Sequence, residues 1–227
     1  MISINDLTLS YPGGIPVIEN LNLTLSTGQI HGLVGLNGTG KTSLLNVIHG
    51  MLIPQSGAIL IDGRQLTKKD IGFLPTENYF YPNITGREYL QLFANPNFDA
   101  DHWNDIFSLP LDQTIDGYST GMKKKLAILG VLKADKPILI LDEPFNGLDI
   151  ETGRTLHSII SILKSKQKTI VVTSHILDSL MDLCDEIHYL ESGIIKKSLQ
   201  KEHFESFKTE LYESMANKTK QKLDTLL

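Results

Sequence analysis

A glycine-rich stretch at residues 35–42, GLNGTGKT, has the residue types that bind phosphate. Its three glycines permit turns and close approaches that a side chain would block, so that backbone N–H groups can face an anion. The stretch lies between a predicted strand and a predicted helix, whose positive dipole end adds to the attraction. Lys41 would neutralise the β- and γ-phosphates of a nucleotide, and the Thr42 hydroxyl would ligate Mg²⁺. The predicted phosphate-binding residues are Gly35, Leu36, Asn37, Gly38, Thr39, Gly40, Lys41, Thr42 and Ser43.

A second stretch, PILILDEP at 137–144, places two carboxylates after a run of apolar residues. The run predicts a buried strand, and Asp142 follows at its carboxyl end, where α/β folds bind ligands. Asp142 would hold Mg²⁺ through water, and Glu143 would orient or deprotonate the water that attacks the γ-phosphate. An acidic pair alone is more typical of a solvated loop or a helix start. Together with the glycine-rich stretch, the pair favours catalysis.

The hydrophobic pattern predicts the elements that position these residues. Alternating apolar residues near the N-terminus, such as Ile2 and Ile4, indicate strands, which we assign to an antiparallel β portion. Continuous apolar runs in PILILDEP and in KTIVVTSH (168–175) are typical of parallel strands covered on both faces. Residues 76–130 are predicted to form an inserted helical subdomain. The fold class is therefore α/β, with a mostly parallel sheet at its core.

Composition narrows the possible functions. The chain has 227 residues and a formal net charge of -5, which argues against a general nucleic-acid binder. Cys184 is its single cysteine, so an internal disulfide framework is excluded and a reducing compartment is expected. The N-terminus lacks the pattern of a signal peptide, and no apolar run approaches the roughly 18 residues of a membrane span. We therefore expect a cytoplasmic protein.

These motifs resemble those of the ATP-binding subunits of ABC transporters, and the resemblance covers about residues 2–195. GLNGTGKT resembles the Walker A motif, ILILDEP the Walker B motif, NGLD (146–149) the D-loop, and TSH (173–175) the switch segment. The resemblance implies a P-loop NTPase fold and an ATPase that uses ATP and Mg²⁺. It implies that Tyr11 stacks on adenine, with an edge-strand aromatic as the alternative. It also implies that His175 reaches the γ-phosphate and that Asp149 belongs to the D-loop.

The stretch YSTGM at 118–122 is similar to the signature motif of the same family. In that family two subunits meet head to tail, so the resemblance implies that Ser119 and the Gly121 backbone bind the γ-phosphate of ATP held by the other subunit. A hydroxyl and a glycine at a helix N-terminus suit an anion. The stretch thus implies a dimer, of identical or different ATPase subunits. The lysines at 123–125 are expected to lie on a solvated helix face.

Two departures from the family pattern affect the functional prediction. Signature variants of the form YS-x-GM resemble the subfamily of bacitracin-resistance and related exporters. After Leu74 and Pro75 the family has a glutamine that reaches Mg²⁺, whereas this chain has Thr76 followed by Glu77. A threonine is too short to copy that reach. Three alternatives stay open: water fills the gap, Glu77 substitutes, or hydrolysis is slow, and Thr76 is only a doubtful metal ligand.

Two further segments have alternative interpretations. The aromatic residues Tyr79, Phe80, Tyr81 and Trp103 fill a small core or rim a groove for a helix of a membrane protein. In the tail, Phe204, Phe207, Leu211 and Met215 share one face of a predicted helix, which we expect to pack on its own domain rather than form a dimer contact. The predicted organisation is one ATPase domain over 1–227, with a helical extension at 200–227.

The function that follows is an ATPase subunit that drives a separate integral-membrane permease, with export of a drug or peptide implied by the subfamily. The alternative is a soluble ATPase of the same family that acts in assembly or as a scaffold. An ordinary P-loop kinase or GTPase ranks last, because it has no use for YSTGM and the chain has no recognisable guanine-reading segment.

Overall fold

The computed structural model describes residues 1–226 and the side chains of residues 1–216, so that Leu227 of the predicted extension lies outside the described residues. The strands are β1 (Ile2–Ser10), β2 (Pro16–Leu25), β3 (Ile30–Val34), β4 (Ser56–Ile61), β5 (Arg64–Gln65), β6 (Ile71–Leu74), β7 (Ile138–Leu141), β8 (Thr169–Ser174), β9 (Glu186–Glu191) and β10 (Ile194–Gln200). The α-helices are α1 (Lys41–His49), α2 (Gly86–Gln91), α3 (Ala100–Asn104), α4 (Thr120–Ala134), α5 (Ile150–Ser165), α6 (Leu177–Met181) and α7 (Phe204–Leu226).

The central sheet has the strand order β10-β9-β3-β8-β7-β6. Its five strands from β9 to β6 are parallel, and β10 joins β9 antiparallel at one edge. Every residue of β3, β7 and β8 is buried, because helices and the second sheet cover both faces. The α/β class and the mostly parallel sheet predicted from the apolar runs are confirmed.

A second sheet, in the order β2-β1-β4-β5, is antiparallel throughout. Its apolar side chains face α1 and the central sheet and form one of two buried clusters, with Leu7, Ile18 and Leu44 fully enclosed. Alternation of buried and exposed residues along β2 gives the pattern expected of a sheet with one wet face. The predicted antiparallel β portion is this sheet.

Between β6 and β7 the regular elements are helices, which include α2, α3 and α4. Helix α2 begins at a capping box in which the Thr85 hydroxyl accepts from the Glu88 N–H and the Glu88 carboxylate accepts from the Thr85 N–H. Arg87 holds this segment together, since its guanidinium bonds Asp101 at 2.9 Å and Asp112 at 2.7 Å. Helices α2 and α3 both contact the long helix α4, which begins within the YSTGM stretch.

The aromatic residues of this segment divide between buried and exposed positions. Phe80 and Trp103 pack against the main buried cluster, and the Trp103 ring stacks on Phe98 at 5.7 Å. Tyr79 and Tyr81 are exposed by 82% and 59%, and their rings meet edge to face. The small core therefore uses Phe80 and Trp103, whereas Tyr79 and Tyr81 lie at the surface.

The C-terminal helix α7 packs on its own domain. Phe204 and Phe207 are buried in the main cluster, Leu211 is partly buried against it, and the Phe207 ring lies 5.4 Å from that of Tyr189. Lys197 ties the helix to β10 through a bond of 2.6 Å to the Glu210 carboxylate. The prediction that the helix packs on its own domain is confirmed for these three apolar residues, whereas Met215 is 37% exposed.

Among the described residues, no helix combines the length and the apolar character that crossing a bilayer requires.

Replacing Phe207 by alanine should lower the free energy of unfolding by about 3–5 kcal/mol, because it removes a buried ring from a packed cluster. Urea denaturation followed by circular dichroism measures this change. The control is Glu213→Ala on the exposed side of the same helix, which should stay within about 0.5 kcal/mol of the parent. Equal stabilities of the two variants would contradict the packing role of Phe207.

Candidate phosphate-binding site

The glycine-rich loop connects the end of β3 to the start of α1. Gly40 caps the helix with φ of 104°, in the left-handed region that favours glycine. A Cβ on Gly35 would collide with the Leu190 carbonyl oxygen, so this position needs a glycine for space. The loop therefore presents backbone N–H groups at the N-terminus of a nine-residue helix, as an anion site requires.

Lys41 lies inside the curve of this loop. Its ammonium donates to the Gly35 carbonyl at 2.7 Å and to the Leu36 carbonyl at 3.2 Å, and the residue is buried. Burial lowers the pKa of Lys41, and the nearby negative charges of Glu143 and Asp142 oppose that shift. The loop thus holds one cation where negatively charged phosphates would enter.

Asp142 lies at the carboxyl end of β7 and is 1% exposed. One of its carboxylate oxygens accepts from the Thr42 hydroxyl at 3.0 Å, and the other accepts from the Thr173 hydroxyl at 2.6 Å. A hydroxyl and a carboxylate in contact beside a phosphate loop form the all-oxygen donor set that Mg²⁺ prefers. The residues present therefore fit this ion.

Glu143 is held in a constrained position next to Asp142. Its φ is +48°, which is uncommon for a residue with a side chain, and its N–H donates to the Thr173 hydroxyl at 2.8 Å. His175 Nδ1 lies 3.1 Å from Glu143 Oε2. Glu143 and His175, the two residues predicted to be catalytic, are thus in direct contact.

These groups line one cleft of about 620 Å³. The Tyr11 hydroxyl lies 3.1 Å from Ser43 Oγ at the rim of this cleft, and the residue is 46% exposed. Leu36 and Thr39 belong to the turn itself, where the Thr39 hydroxyl donates to the Leu36 carbonyl. The lining residues are Tyr11, Val17, Asn37, Gly38, Gly40, Lys41, Thr42, Ser43, Thr76, Asp142, Glu143, Asn146 and His175.

Three of the predicted residues lie away from both the glycine-rich loop and this cleft. Ser119 caps α4, where its hydroxyl accepts from the Met122 N–H at 3.2 Å, and it is exposed to solvent. Gly121 faces the Gly147 carbonyl, and Asp149 caps α5 and pairs with Lys125 at 3.6 Å. The chain's own cleft therefore does not use the YSTGM stretch.

Thr76 lies at the junction of this cleft with a larger groove of about 860 Å³. Thr42, Thr76 and Asp142 line both spaces, and Glu77 lines only the groove. The groove runs between the α1 end and the helical segment, with Tyr79, Tyr89 and Phe93 on its walls. Thr76 thus lies where the groove meets the cleft, at the edge that Thr42 and Asp142 also line.

The expectation that all three lysines at 123–125 are solvated is wrong for Lys124. This residue is 5% exposed, and its ammonium lies 3.5 Å from the Pro75 carbonyl and 3.4 Å from the Glu143 carbonyl. Burial lowers its pKa to about 8, although Asp142 and Glu143 oppose the shift. Helix α4 packs against the central sheet at this position, so the Lys124 side chain is buried beneath the loop that carries Asp142 and Glu143.

Sequence reasoning missed Thr173 and Asn146 as well as Lys124. Thr173 joins Asp142 to the Glu143 backbone, and Asn146 lines the cleft. A polar residue within the apolar run KTIVVTSH was the available signal for Thr173. Nothing in three consecutive lysines distinguishes the middle one, because the face of α4 is fixed only by packing.

Comparisons with known proteins agree with this geometry. The family model described as "ABC transporter" matches residues 18–146. The chain is 31% identical over 216 residues to the lantibiotic transport ATP-binding protein SrtF of Streptococcus pyogenes, covering 89% of this chain and 91% of that one. It is 32% identical over 220 residues to the bacitracin transport ATP-binding protein BcrA of Bacillus licheniformis, covering 89% and 71%.

Among solved structures, one described as an ATP binding subunit of an ABC transporter superposes with a TM-score of 0.85 at 27% identity. The match covers 95% of this chain and 99% of the other. The likeness therefore includes both sheets and the helical segment.

Replacing Lys124 by methionine should change how stability depends on pH. Its pKa is about 8 when folded and about 10.4 in an unfolded chain, so between these values the unfolded state binds more protons. The stability of the parent relative to Lys124→Met should therefore rise as pH increases from about 8 to about 10, as urea unfolding at several pH values would show. Lys123→Met removes a lysine from a less buried position of the same helix as the control. An equal pH-dependent difference in that control would contradict the assignment to Lys124.

Proposed function

Because the chain belongs to the ABC transporter family and is an ATP-binding ATPase of that family, we propose that it drives a separate integral-membrane permease through an ATP-sandwich dimer. The observation that carries the proposal is the contact network of Thr42, Asp142, Glu143 and His175 beside the glycine-rich loop. The hydroxyl–carboxylate pair of Thr42 and Asp142, the Glu143–His175 pair and the Lys41 side chain line one cleft, which supports a role in ATP hydrolysis.

In this proposal the loop of residues 35–43 binds the phosphates of ATP, and Lys41 neutralises the β- and γ-phosphates. The Thr42 hydroxyl and Asp142 would hold Mg²⁺, which supplies charge neutralisation at the transferring phosphoryl group. Tyr11, which is exposed at the rim of the cleft, would stack on the adenine. Catalysis of this kind depends on position and electrostatics more than on covalent steps.

Glu143 is the proposed base, and His175 is its partner. A carboxylate at this position can orient a water toward the γ-phosphate and accept its proton. His175 bonds the same carboxylate, so it fixes its direction while its own ring reaches toward the phosphate. The bond from the Glu143 N–H to Thr173 fixes the backbone as well, which limits the positions that the base can sample.

Ser119 and Gly121 are proposed to cap ATP bound by a second ATPase subunit, of the same or a different kind. Ser119 is exposed and Gly121 is half-buried at the start of α4, away from the chain's own cleft, and this position supports a role across an interface. Asp149 caps α5 beside the same surface and pairs with Lys125. Closing of the dimer on two ATP molecules would then be the step that moves the permease.

The groove next to Thr76 is the proposed contact with the permease. Tyr79 is exposed and lines it, and aromatic side chains at a surface are typical of protein interfaces. Since Thr42, Thr76 and Asp142 line both spaces, a helix seated there would touch the residues next to the metal ligands. This arrangement would place the chain at the cytoplasmic face of the membrane, and the relatives named for lantibiotic and bacitracin transport support export of a peptide or drug.

The Glu143→Gln variant should bind ATP like the parent but lose at least about 100-fold in turnover, because an amide cannot accept the proton of the attacking water. Nucleotide binding by fluorescence and phosphate release by a coupled assay measure the two properties. The control is Glu151→Gln at an exposed position of α5, which should keep its turnover. Normal turnover in Glu143→Gln would remove Glu143 from the proposed role.

The dimer makes a separate prediction for the chain pairing with itself. Lys41→Ala disables the phosphate loop of one subunit, whereas Ser119→Arg blocks the cap that it offers to the other. Each variant alone should be inactive. In an equal mixture, half of the dimers pair one variant with the other, and each of these dimers has one intact and one disabled site. The mixture should therefore regain about a quarter of the parent's active sites. The readout is turnover at fixed total protein.

No recovery in the mixture, although each variant is folded and Ser119→Arg binds ATP, would exclude a homodimer with shared sites.

A further inference from the structure

Three side chains form a compact cluster away from the phosphate site: His31 on β3, and Glu186 and His188 on β9. The two strands are parallel neighbours in which His31 pairs with Glu186, and residues 186 and 188 point to the same face of the sheet. His31 is fully buried, His188 is 2% exposed, and the Glu186 side chain is 15% exposed. One acidic group thus connects a buried histidine pair to solvent.

The separations of the ligand atoms suit a small tetrahedral cation. His31 Nδ1 lies 3.2 Å from His188 Nε2 and 3.5 Å from Glu186 Oε2. The third distance, from His188 Nε2 to Glu186 Oε2, is 3.9 Å. In tetrahedral zinc sites the Zn–N bonds of about 2.0–2.1 Å place neighbouring ligand atoms about 3.3 Å apart. The two distances from His31 Nδ1 are already close to this value, and a small rotation of the partly exposed Glu186 carboxylate would shorten its distance to His188 Nε2.

The outer nitrogen atoms of both rings have the partners that metal-bound histidines need. His31 Nε2 lies 3.0 Å from the Ser26 carbonyl, which can only accept, so this nitrogen carries the proton and His31 Nδ1 has a free lone pair. His188 Nδ1 lies 2.8 Å from the Ser198 hydroxyl, which can accept a proton from it. With the His188 proton on Nδ1, both inner nitrogen atoms present lone pairs to the same point.

We propose that His31, Glu186 and His188 form a Zn²⁺ site, with water as the fourth ligand on the exposed side of Glu186. When no ion is present, the neutral rings are joined by one hydrogen bond of 3.2 Å, from the His188 Nε2–H to His31 Nδ1. On binding, the His188 proton would move to Nδ1, where the Ser198 hydroxyl accepts it, and the cation would take its place between the two rings. Binding would tie β3 to β9. Neither histidine contacts the residues proposed for ATP.

The electrostatic environment agrees with this assignment. Burial lowers the pKa of His188 to about 3 and also lowers that of His31, so both rings are neutral and able to act as ligands at neutral pH. Burial raises the pKa of Glu186. A bound divalent cation would favour the ionised form of Glu186, and the negative charge of this carboxylate would offset part of the cation's positive charge.

The test uses the purified full chain after treatment with a chelator. Titration calorimetry with Zn²⁺ should show one equivalent per chain, and Co²⁺ should give the intense visible absorption of a four-coordinate ion. Ser198→Ala, which removes the partner of His188, should weaken Zn²⁺ binding by about 10–100-fold. Glu186→Gln should weaken it at least as much, and Zn²⁺ should raise the melting temperature of the parent more than that of this variant.

Two controls separate the cluster from other carboxylates. Glu213→Gln, at an exposed position of α7, should bind Zn²⁺ like the parent. Asp142→Asn, which disrupts the proposed Mg²⁺ site, should also keep the Zn²⁺ equivalent. Because neither Zn²⁺ readout involves ATP, a failure here leaves the proposed transport function untouched.

The proposal would be overturned by a parent chain that takes up no Zn²⁺ equivalent, which would leave the cluster as a hydrogen-bonded histidine pair. It would also be overturned if Asp142→Asn, but not Glu186→Gln, abolished binding. A six-coordinate Co²⁺ spectrum in the parent would have the same consequence.

Discussion

The buried carboxylate of Asp142 is the group on which both sides of the phosphate site depend. A negative charge at 1% exposure is costly unless it is bonded on every side, and here two hydroxyl groups donate to it. Thr42 lies at the start of α1 and Thr173 near the end of β8, so the Asp142 carboxylate connects these two elements. The Thr173 oxygen also accepts from the Glu143 N–H, so one carboxylate connects the Thr42 hydroxyl to the Glu143 backbone.

The same requirement explains the position of Lys124. Two acidic residues follow β7, and a buried ammonium under their loop compensates part of their charge while bonding the carbonyls of Pro75 and Glu143. Lys124 belongs to the helix that begins at Ser119. The helix that carries YSTGM, the loop at Pro75 and Thr76, and the Glu143 backbone are therefore connected through one side chain.

The parallel sheet carries two different kinds of polar site. At the carboxyl ends of β3, β7 and β8 the polar side chains of Thr42, Asp142, Glu143 and His175 line an open cleft. In the middle of β3 and β9 the histidine cluster is enclosed, with only Glu186 reaching solvent. An open site suits a nucleotide that must enter and leave, whereas an enclosed one suits a bound ion that stabilises the sheet.

The sequence by itself determined the α/β class, the phosphate loop and the acidic pair, because these depend on local patterns: glycines before a helix, and apolar runs that end in charge. The family comparison agrees with them. Tertiary structure decided what depends on distance across the chain. The contact of His175 with Glu143, the bridge through Thr173 and the pairing of His31 with His188 join residues up to 157 positions apart. Likewise, only the packing of α4 against the sheet decides which of three adjacent lysines is buried, since helical rotation sends consecutive side chains in different directions.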